Sequence, residues 1–584
     1  MNQLQTNNSK TPKVLILTGT TLILDLYRKG SFRENIRRQV SLFRASSGAW
    51  LDLAIKLEAS QHIQNFMSAR KSSRFKRAPY RQAVETFFNS QNSLDIPELG
   101  EVVLATGLAL ENIDFEAMSY GRFFMEKAKH EEILARSQVV FISTTYLRDL
   151  SELEVIASLV KRPHNKVVAG GALAGLVHHR WVESPHVDIL SVGYGELLMH
   201  SLCQWIKNGC QHLTAPETGR LIQKGRNVLL YSGVPKSRSL DDLPAPDWGL
   251  AQKYHGRSFN LVLYESVRGC PYQCGFCNYP FLFDDNKFRM RSAEKIADDW
   301  ARLARIGVSY VSCLDSLFTM PKTRVRKLCQ ILIERKTPIK WICFARASDL
   351  TDMEICELLR DAGCVKLLIG VESGSQLILD NMNKRCTVDQ NAAALQNCRQ
   401  AGITTSASLI VGYPGETAET VKETFAFLKS YPPDIFNTYS FCVRSDRLPV
   451  LAPESTKKHG LIYADDGRVA QPYWAHNTLS CVETMHHLHQ LNTDLMVHKV
   501  ALNGSVFHAN SVEWNRKDWG QLLEFQKDFT TRPSVGAWFN KKFADWANRR
   551  LKKAVTLALS GKTNLPLKGS QPKHQTLLPE PDKS

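Results

Sequence analysis

"SVRGCPYQCGFCNYP", residues 266–280, sets three thiols, Cys270, Cys274 and Cys277, in one short loop. A structural zinc site usually closes with four ligands and a disulfide uses two, so three is an unfinished number. The loop begins where an apolar run of strand length ends, in "NLVLYESVRG" (260–269). What surrounds that strand decides the fold.

Downstream the same pattern recurs. Five further strands are expected in "VSYVSCLDSLF" (308–318), "IKWICFARAS" (339–348), "VKLLIGVESG" (365–374), "ITTSASLIVGYPG" (403–415) and "IFNTYSFCVRS" (435–445). Helices are expected between them in "AEKIADDWARLARIG", "TRVRKLCQILIERK", "DMEICELLRDAG" with a Thr351/Glu354 capping box, and "AETVKETFAFLKS". Six strand–helix units with short turns imply a partial (β/α)6 barrel of TIM type over 259–450, with its chemistry at the carboxyl ends of the strands. The cysteine loop sits at such an end.

Upstream, "VLILTGT" (14–20), "VVLATGLAL" (102–110), "VVFIST" (139–144), "KVVAGG" (166–171) and "DILSVGYGE" (188–196) are expected as parallel strands buried on both faces, with a Ser151/Glu154 capping box opening one helix between them. They make 1–231 a doubly wound, Rossmann-like α/β domain with a helical insertion at about 30–95. Its ligand belongs at the carboxyl ends of the strands, where Gly170, Gly171, Gly193 and Gly195 let a bulky planar group approach the backbone. The Pro-, Ser- and Asp-rich stretch at 232–258 is expected to be a linker, 451–560 a mainly helical C-terminal region and 561–584 a disordered tail.

Composition sets the remaining bounds. At 584 residues, 43% apolar and 22% charged, the chain is long enough for several unstapled cores. Most of the eleven cysteines outside the loop are expected to be buried small hydrophobes in a reducing compartment. Lys10 and Lys13 precede the apolar run at 14–24 as in a signal peptide, but Asp25 and basic residues follow in place of a cleavage site. That run is expected to be a buried first strand, and with no run of membrane-spanning length a cytoplasmic protein is expected. The net charge of +17 is uneven: 15 Lys and Arg against 6 Asp and Glu in residues 1–95, and 10 against 3 in 535–584, leave the middle at +1. Basic ends suit an acidic or peptide partner as well as they suit plain solvated faces. The basic stretch "RKSSRFKRAPYR" (70–81) lies in no recognisable nucleic-acid module, so stable nucleic-acid binding is not expected.

The spacing C-x-x-x-C-x-x-C answers the unfinished count. Thiolates are soft ligands, and a cubane of four irons held by three of them leaves one iron open for a substrate or cosubstrate. The alternative is a zinc site completed by a distant ligand such as His255.

On these residues the stretch 259–450 resembles the radical S-adenosylmethionine (SAM) superfamily: "CPYQCGFC", with Phe276 before the third cysteine, is similar to that family's cluster loop. The resemblance implies a 4Fe-4S cluster on Cys270, Cys274 and Cys277, SAM on its open iron, and cleavage to methionine and a 5′-deoxyadenosyl radical. It further implies SAM contacts from Asp315 in "CLDS", Arg346, Glu372 and Ser373 in "GVESGS", and Gly412 in "IVGYPGET". Asp315 lacks the glycines of the family's acidic motif. The domain in front resembles the cobalamin-binding domain of one branch, in "VVAGGALAG" and "VDILSVGYGE" with Glu196. In "DLYRKG" (25–30), Tyr27 stands where a cobalt-ligating histidine would be, implying cobalamin bound without that ligand.

Together these resemblances imply a cobalamin-dependent radical SAM methyltransferase acting, through methylcobalamin, on an unactivated carbon of a natural product or peptide. A reductant such as flavodoxin or ferredoxin is the implied partner. Cyclisation with the same cofactors is the alternative, and a non-catalytic cobalamin or metal carrier a further one. A tRNA methylthiotransferase would need N-terminal cluster cysteines, and the chain has none before Cys203.

Overall fold

The computed structural model describes residues 14–19, 50–90, 96–125, 127–147, 149–285, 287–465, 473–507, 516–532, 535–561 and 565–570. Within them the chain divides into two compact units. One is formed by residues 14–19, 97–258 and 280–285, the other by 50–90, 259–279 and the rest from 287 onward.

In the first unit Val14–Thr18, apolar but for its last residue and buried throughout, pairs in parallel with Phe115–Ser119 on one side and Val139–Ser143 on the other. Lys166–Gly170, Ile189–Val192 and Asn227–Tyr231 continue the parallel sheet, and Arg220–Lys224 closes it as an antiparallel hairpin. The expected strand at 102–110 is instead a helix, Leu99–Leu110, and the strand beside Val14–Thr18 is Phe115–Ser119. A twelve-residue apolar stretch suits either element by hydrophobicity alone, and length favours the helix. The expected Ser151 cap is displaced to Asp149, whose carboxylate accepts from the N–H groups of Ser151 at 2.8 Å and Glu152 at 3.2 Å. A charged acceptor at a helix N-terminus is the stronger cap. The expected linker contains a helix, Trp248–His255, capped by Asp247 and ended by Gly256, and it belongs to this unit.

The second unit holds all six expected barrel strands, Leu261–Tyr264, Tyr310–Cys313, Lys340–Arg346, Cys364–Glu372, Thr404–Val411 and Ile435–Ser440, in sequential parallel order. A seventh, the two-residue strand Leu502–Asn503, pairs with Ile435–Ser440. The helix expected to open with a Thr351/Glu354 box is capped by Asp352, which accepts from the Glu354 N–H at 3.0 Å.

The helical insertion is helical where described, but it packs in this unit and not with the first sheet. Trp50–Arg70 runs against Val535–Leu559, and Phe66 meets Phe525 and Phe529 at ring separations of 5.7 and 6.1 Å. Its apolar side therefore completes a helical core with residues more than 400 positions away, a pairing that local sequence does not encode. The exposed basic residues Arg74, Lys76 and Arg77 lie on a short helix of the same layer. At the other end, Leu567–Gly569, expected in a disordered tail, pairs antiparallel with Ile462–Ala464. Among the described residues no helix is long and apolar enough to cross a membrane.

Candidate functional site

The cysteine loop leaves the first barrel strand through Val267–Arg268, which pairs with Arg289–Met290. Cys274 is buried, while Cys270 and Cys277 are half-buried. The loop is pinned from beneath by Asp315, whose carboxylate accepts from Ser266 N at 2.5 Å, Val267 N at 2.6 Å and Ser266 Oγ at 2.7 Å. Asp315 is fully buried, which pushes its carboxyl up to about 6, and the nearby Arg324 cation opposes that rise. Its acceptors face the backbone before the cysteines. Through these three hydrogen bonds Asp315 holds the approach to the loop.

Arg346, at the end of the third strand, has Nη1 3.9 Å from Cys274 Sγ and its guanidinium carbon 3.8 Å from the ring centre of Tyr272. Its Nη2 donates to the carbonyls of Lys384 and Arg385. Glu372, at the end of the fourth strand, is paired with Lys384 at 2.6 Å, and the Lys384 ammonium lies 5.8 Å from the centre of the Phe276 ring. Arg346, Glu372 and Phe276 are therefore gathered around the thiol loop. Ser373 is turned away to Thr424, 3.1 Å between hydroxyl oxygens. Gly412 is packed against Thr484 on the helix Cys481–Val497, but its neighbour Tyr413 reaches the loop. A side chain at position 275 would place its Cβ 2.0 Å from Tyr413 Oη, so the family-like glycine in "CGFC" is demanded by close approach. Tyr272, Tyr413 and the turn 382–385 were not legible as site residues, because only the folded barrel brings them to the cysteines.

Burial pushes the Cys277 thiol up to about 12 and raises Cys270 too, with the Lys384 cation working the other way on both. Among the described residues no group of three or more His, Cys, Asp or Glu side chains is placed to hold a metal ion. Three thiols that each take a different iron of one cluster stand further apart than three ligands of a single ion. His255, the alternative zinc ligand, has its Nε2 2.9 Å from Glu101.

Behind Gly412 lies a buried carboxyl. Glu416 accepts from the Gly412 N–H, and burial pushes it up to about 8. The folded chain therefore holds this proton more tightly than the unfolded chain does. The stability linked to Glu416 is full below the ordinary carboxylate range and is lost as pH rises through about 8, by on the order of 5 kcal/mol. Glu416→Gln is expected to flatten the fall in thermal midpoint between pH 5 and pH 9; an unchanged pH profile would contradict this.

In the first unit, Gly170 and Gly171 end one strand, beside Ser191 and Thr144–Thr145 respectively. Ser191 Oγ is buried with no partner among the described residues. Gly193 faces Ser232 Oγ and the carbonyl of Phe283. Gly195 and Glu196 open the helix Gly195–Lys207 beside Val103 and Thr106. Tyr27, with the rest of "DLYRKG", lies outside the described residues.

The segment 280–285, three residues past Cys277, is a strap belonging to this unit. Tyr194 donates to Asp285 at 2.9 Å, Arg220 pairs with Asp284 at 3.0 Å, and Phe283 lies 5.5 Å from the Tyr194 ring. Gly175 admits it: a Cβ there would stand 2.1 Å from the Leu282 carbonyl. Gly175→Ala is expected to cost about 1–3 kcal/mol and to speed chymotryptic cleavage at Phe281–Phe283; wild-type cleavage rates would disprove the docking role.

Residues 264–428 match the Radical SAM superfamily. The anaerobic magnesium-protoporphyrin IX monomethyl ester cyclase of Rubrivivax gelatinosus is 30% identical over 272 residues, 44% of this chain and 47% of that protein. The cyclase of Cereibacter sphaeroides is 27% identical over 327 residues, 54% of this chain and 53% of that one. The chain thus spans about half the length of the curated relatives it matches. The radical SAM methyltransferase TsrM of Kitasatospora setae, solved with tryptophan and a SAM analogue, superposes with a TM-score of 0.55 at 17% identity, over 80% of this chain and 98% of that one. At that identity the likeness is one of fold. The stretch that matches the Radical SAM superfamily is the barrel with its cysteine loop, residues 264–428.

Proposed function

We propose that the chain is a cytoplasmic, cobalamin-dependent radical SAM enzyme that methylates an unactivated carbon of a natural product or peptide. The observation that carries the reading is the donor set: three thiols in one loop at the carboxyl end of the first barrel strand, one fewer than a closed four-ligand set. When bound, a 4Fe-4S cluster would supply the electron that cleaves SAM, and cobalamin the methyl group. Cys270, Cys274 and Cys277 would hold three irons. Arg346 and Tyr272 stack on one side of the loop, while the Phe276 and Tyr413 rings meet edge to face at 6.4 Å. Arg346, Glu372 and Gly412 are the proposed cosubstrate contacts.

For cobalamin, the fit is supported by the unpartnered Ser191 Oγ beside Gly170, which suits a ligand fringed with amide groups at the sheet's carboxyl edge. Gly171 and Gly193 serve close packing of the chain's own atoms as well, so they weigh less. An electron donor such as flavodoxin or ferredoxin completes the scheme. The 30% identity to the Rubrivivax cyclase favours a second reading, ring closure with the same cofactors and no methyl transfer.

The test is anaerobic reconstitution with iron, sulfide and hydroxocobalamin, followed by mass spectrometry of cell extracts treated with the enzyme. A product one methylene heavier, formed with S-adenosylhomocysteine, supports methylation. A cyclised product without S-adenosylhomocysteine supports the second reading, and absence of cluster-dependent 5′-deoxyadenosine defeats both.

A further inference from the structure

We infer that the buried Lys384–Glu372 pair keeps the charge beside the cluster held by the three thiols near neutral, each residue offsetting the other's pull on the cluster's electron affinity, and that the turn 382–385 is the positioning element that presents it. The inference rests on the cluster proposed above.

The turn follows the helix Gln376–Asn381 and is unusual in its backbone. Asn383 and Arg385 both have φ of 51°, in the left-handed region that side chains rarely adopt. Such strain persists only where surrounding contacts over-determine it. Here they do: the Gly275 N–H donates to the Met382 carbonyl at 2.8 Å, and Asn383 Nδ2 donates to the Gln273 carbonyl at 3.0 Å. Arg346 adds a third tie, from the carbonyl of Arg385 at 3.1 Å to within 3.9 Å of Cys274 Sγ. The turn is thus fastened to the cysteine loop along its length.

The Lys384 side chain points inward from this turn. Its side chain is 8% exposed and that of its partner Glu372 9%. Glu372 itself has φ of 61°, at a register shift between Gly370 and Glu372. Two full charges are therefore buried beside Phe276, the residue before Cys277. A buried ion pair is weak support for a fold, since an apolar pair of similar volume often does as well. Beside a cluster it has another effect, because cluster potentials respond to net charge and burial, and unit charges act strongly at low dielectric. As a pair the two nearly cancel. Singly, each would move the potential in the opposite direction.

The experiment is an EPR-monitored redox titration of the full chain, reconstituted anaerobically, with iron and sulfide counted in every sample. Lys384→Met is expected to make the cluster harder to reduce and Glu372→Gln easier. Each shift is on the order of tenfold in the one-electron equilibrium, about 59 mV. The double variant and Lys384→Arg are expected to stay close to wild type. If Lys384→Met fails to load, the sign of the Glu372→Gln shift decides. Fully loaded single variants with unchanged potentials, or shifts of the same sign, overturn the inference while leaving the functional reading intact. A wild-type chain that takes up no iron and sulfide defeats the functional reading and this one with it.

Discussion

Alanine at Cys270, Cys274 or Cys277 is expected to reduce 5′-deoxyadenosine formation by the reconstituted full chain to background, with loss of bound iron. The size of the effect follows from the count. Three thiols are the whole protein ligand set of the proposed cluster, so a two-thiol loop leaves two irons without protein ligands, and the site for SAM is no longer defined. At Cys270 and Cys277 stability should barely register the change, because those two thiols are only half-buried, whereas Cys274 is buried. Cys313→Ala is the internal contrast. Its thiol is wholly buried in the second barrel strand, so its loss is expected to cost about 1 kcal/mol or more as a small cavity while iron content stays full. The measurement is iron and sulfide per chain, 5′-deoxyadenosine yield and thermal midpoint on the same four samples. Iron retained by the loop variants would refute the ligand assignment outright.

That loop and the barrel around it were legible because each rests on local pattern. The six strands are short apolar runs ended by turns, and the thiol spacing is contiguous in sequence. The misreadings have physical causes of a different kind. The apolar stretch 102–110 suits a buried strand and a buried helix alike by hydrophobicity, and it is the length of the whole element, Leu99–Leu110, that favours the helix. The insertion helices carry no signal that they will pack against helices near the C-terminus, because their partners are fixed by topology. Lys384 lies in "MNKRC", which shows neither periodicity nor a motif, yet folding brings its ammonium to Glu372 and Phe276. Carboxylates were the hardest to place. An acidic residue at a barrel strand's carboxyl end suggests a ligand contact, and nothing local tells whether its oxygens face a cavity or the chain's own backbone.

Asp315 is where that ambiguity can be resolved by measurement. Asp315→Ala removes one carboxylate that accepts three hydrogen bonds from Ser266 and Val267, and it leaves those donors buried. It also strips the counter-charge from Arg324, whose guanidinium is buried and donates to Ser266 Oγ at 3.1 Å and to the Phe318 carbonyl at 2.8 Å. Leaving buried hydrogen-bond donors unpaired costs about 1–3 kcal/mol per group. A loss of that size is expected in the unfolding transition of the barrel unit. Adding Arg324→Met, which removes the stranded cation, is expected to recover part of it. The competing assignment makes the opposite prediction. Were Asp315 a direct contact to the amino group of SAM, its removal would weaken SAM binding and leave the thermal midpoint near wild type. The two readings separate when both quantities are measured on one preparation below the variant's unfolding range: a lowered midpoint with unchanged SAM affinity supports the structural role, and the reverse pattern restores the contact that the resemblance implies.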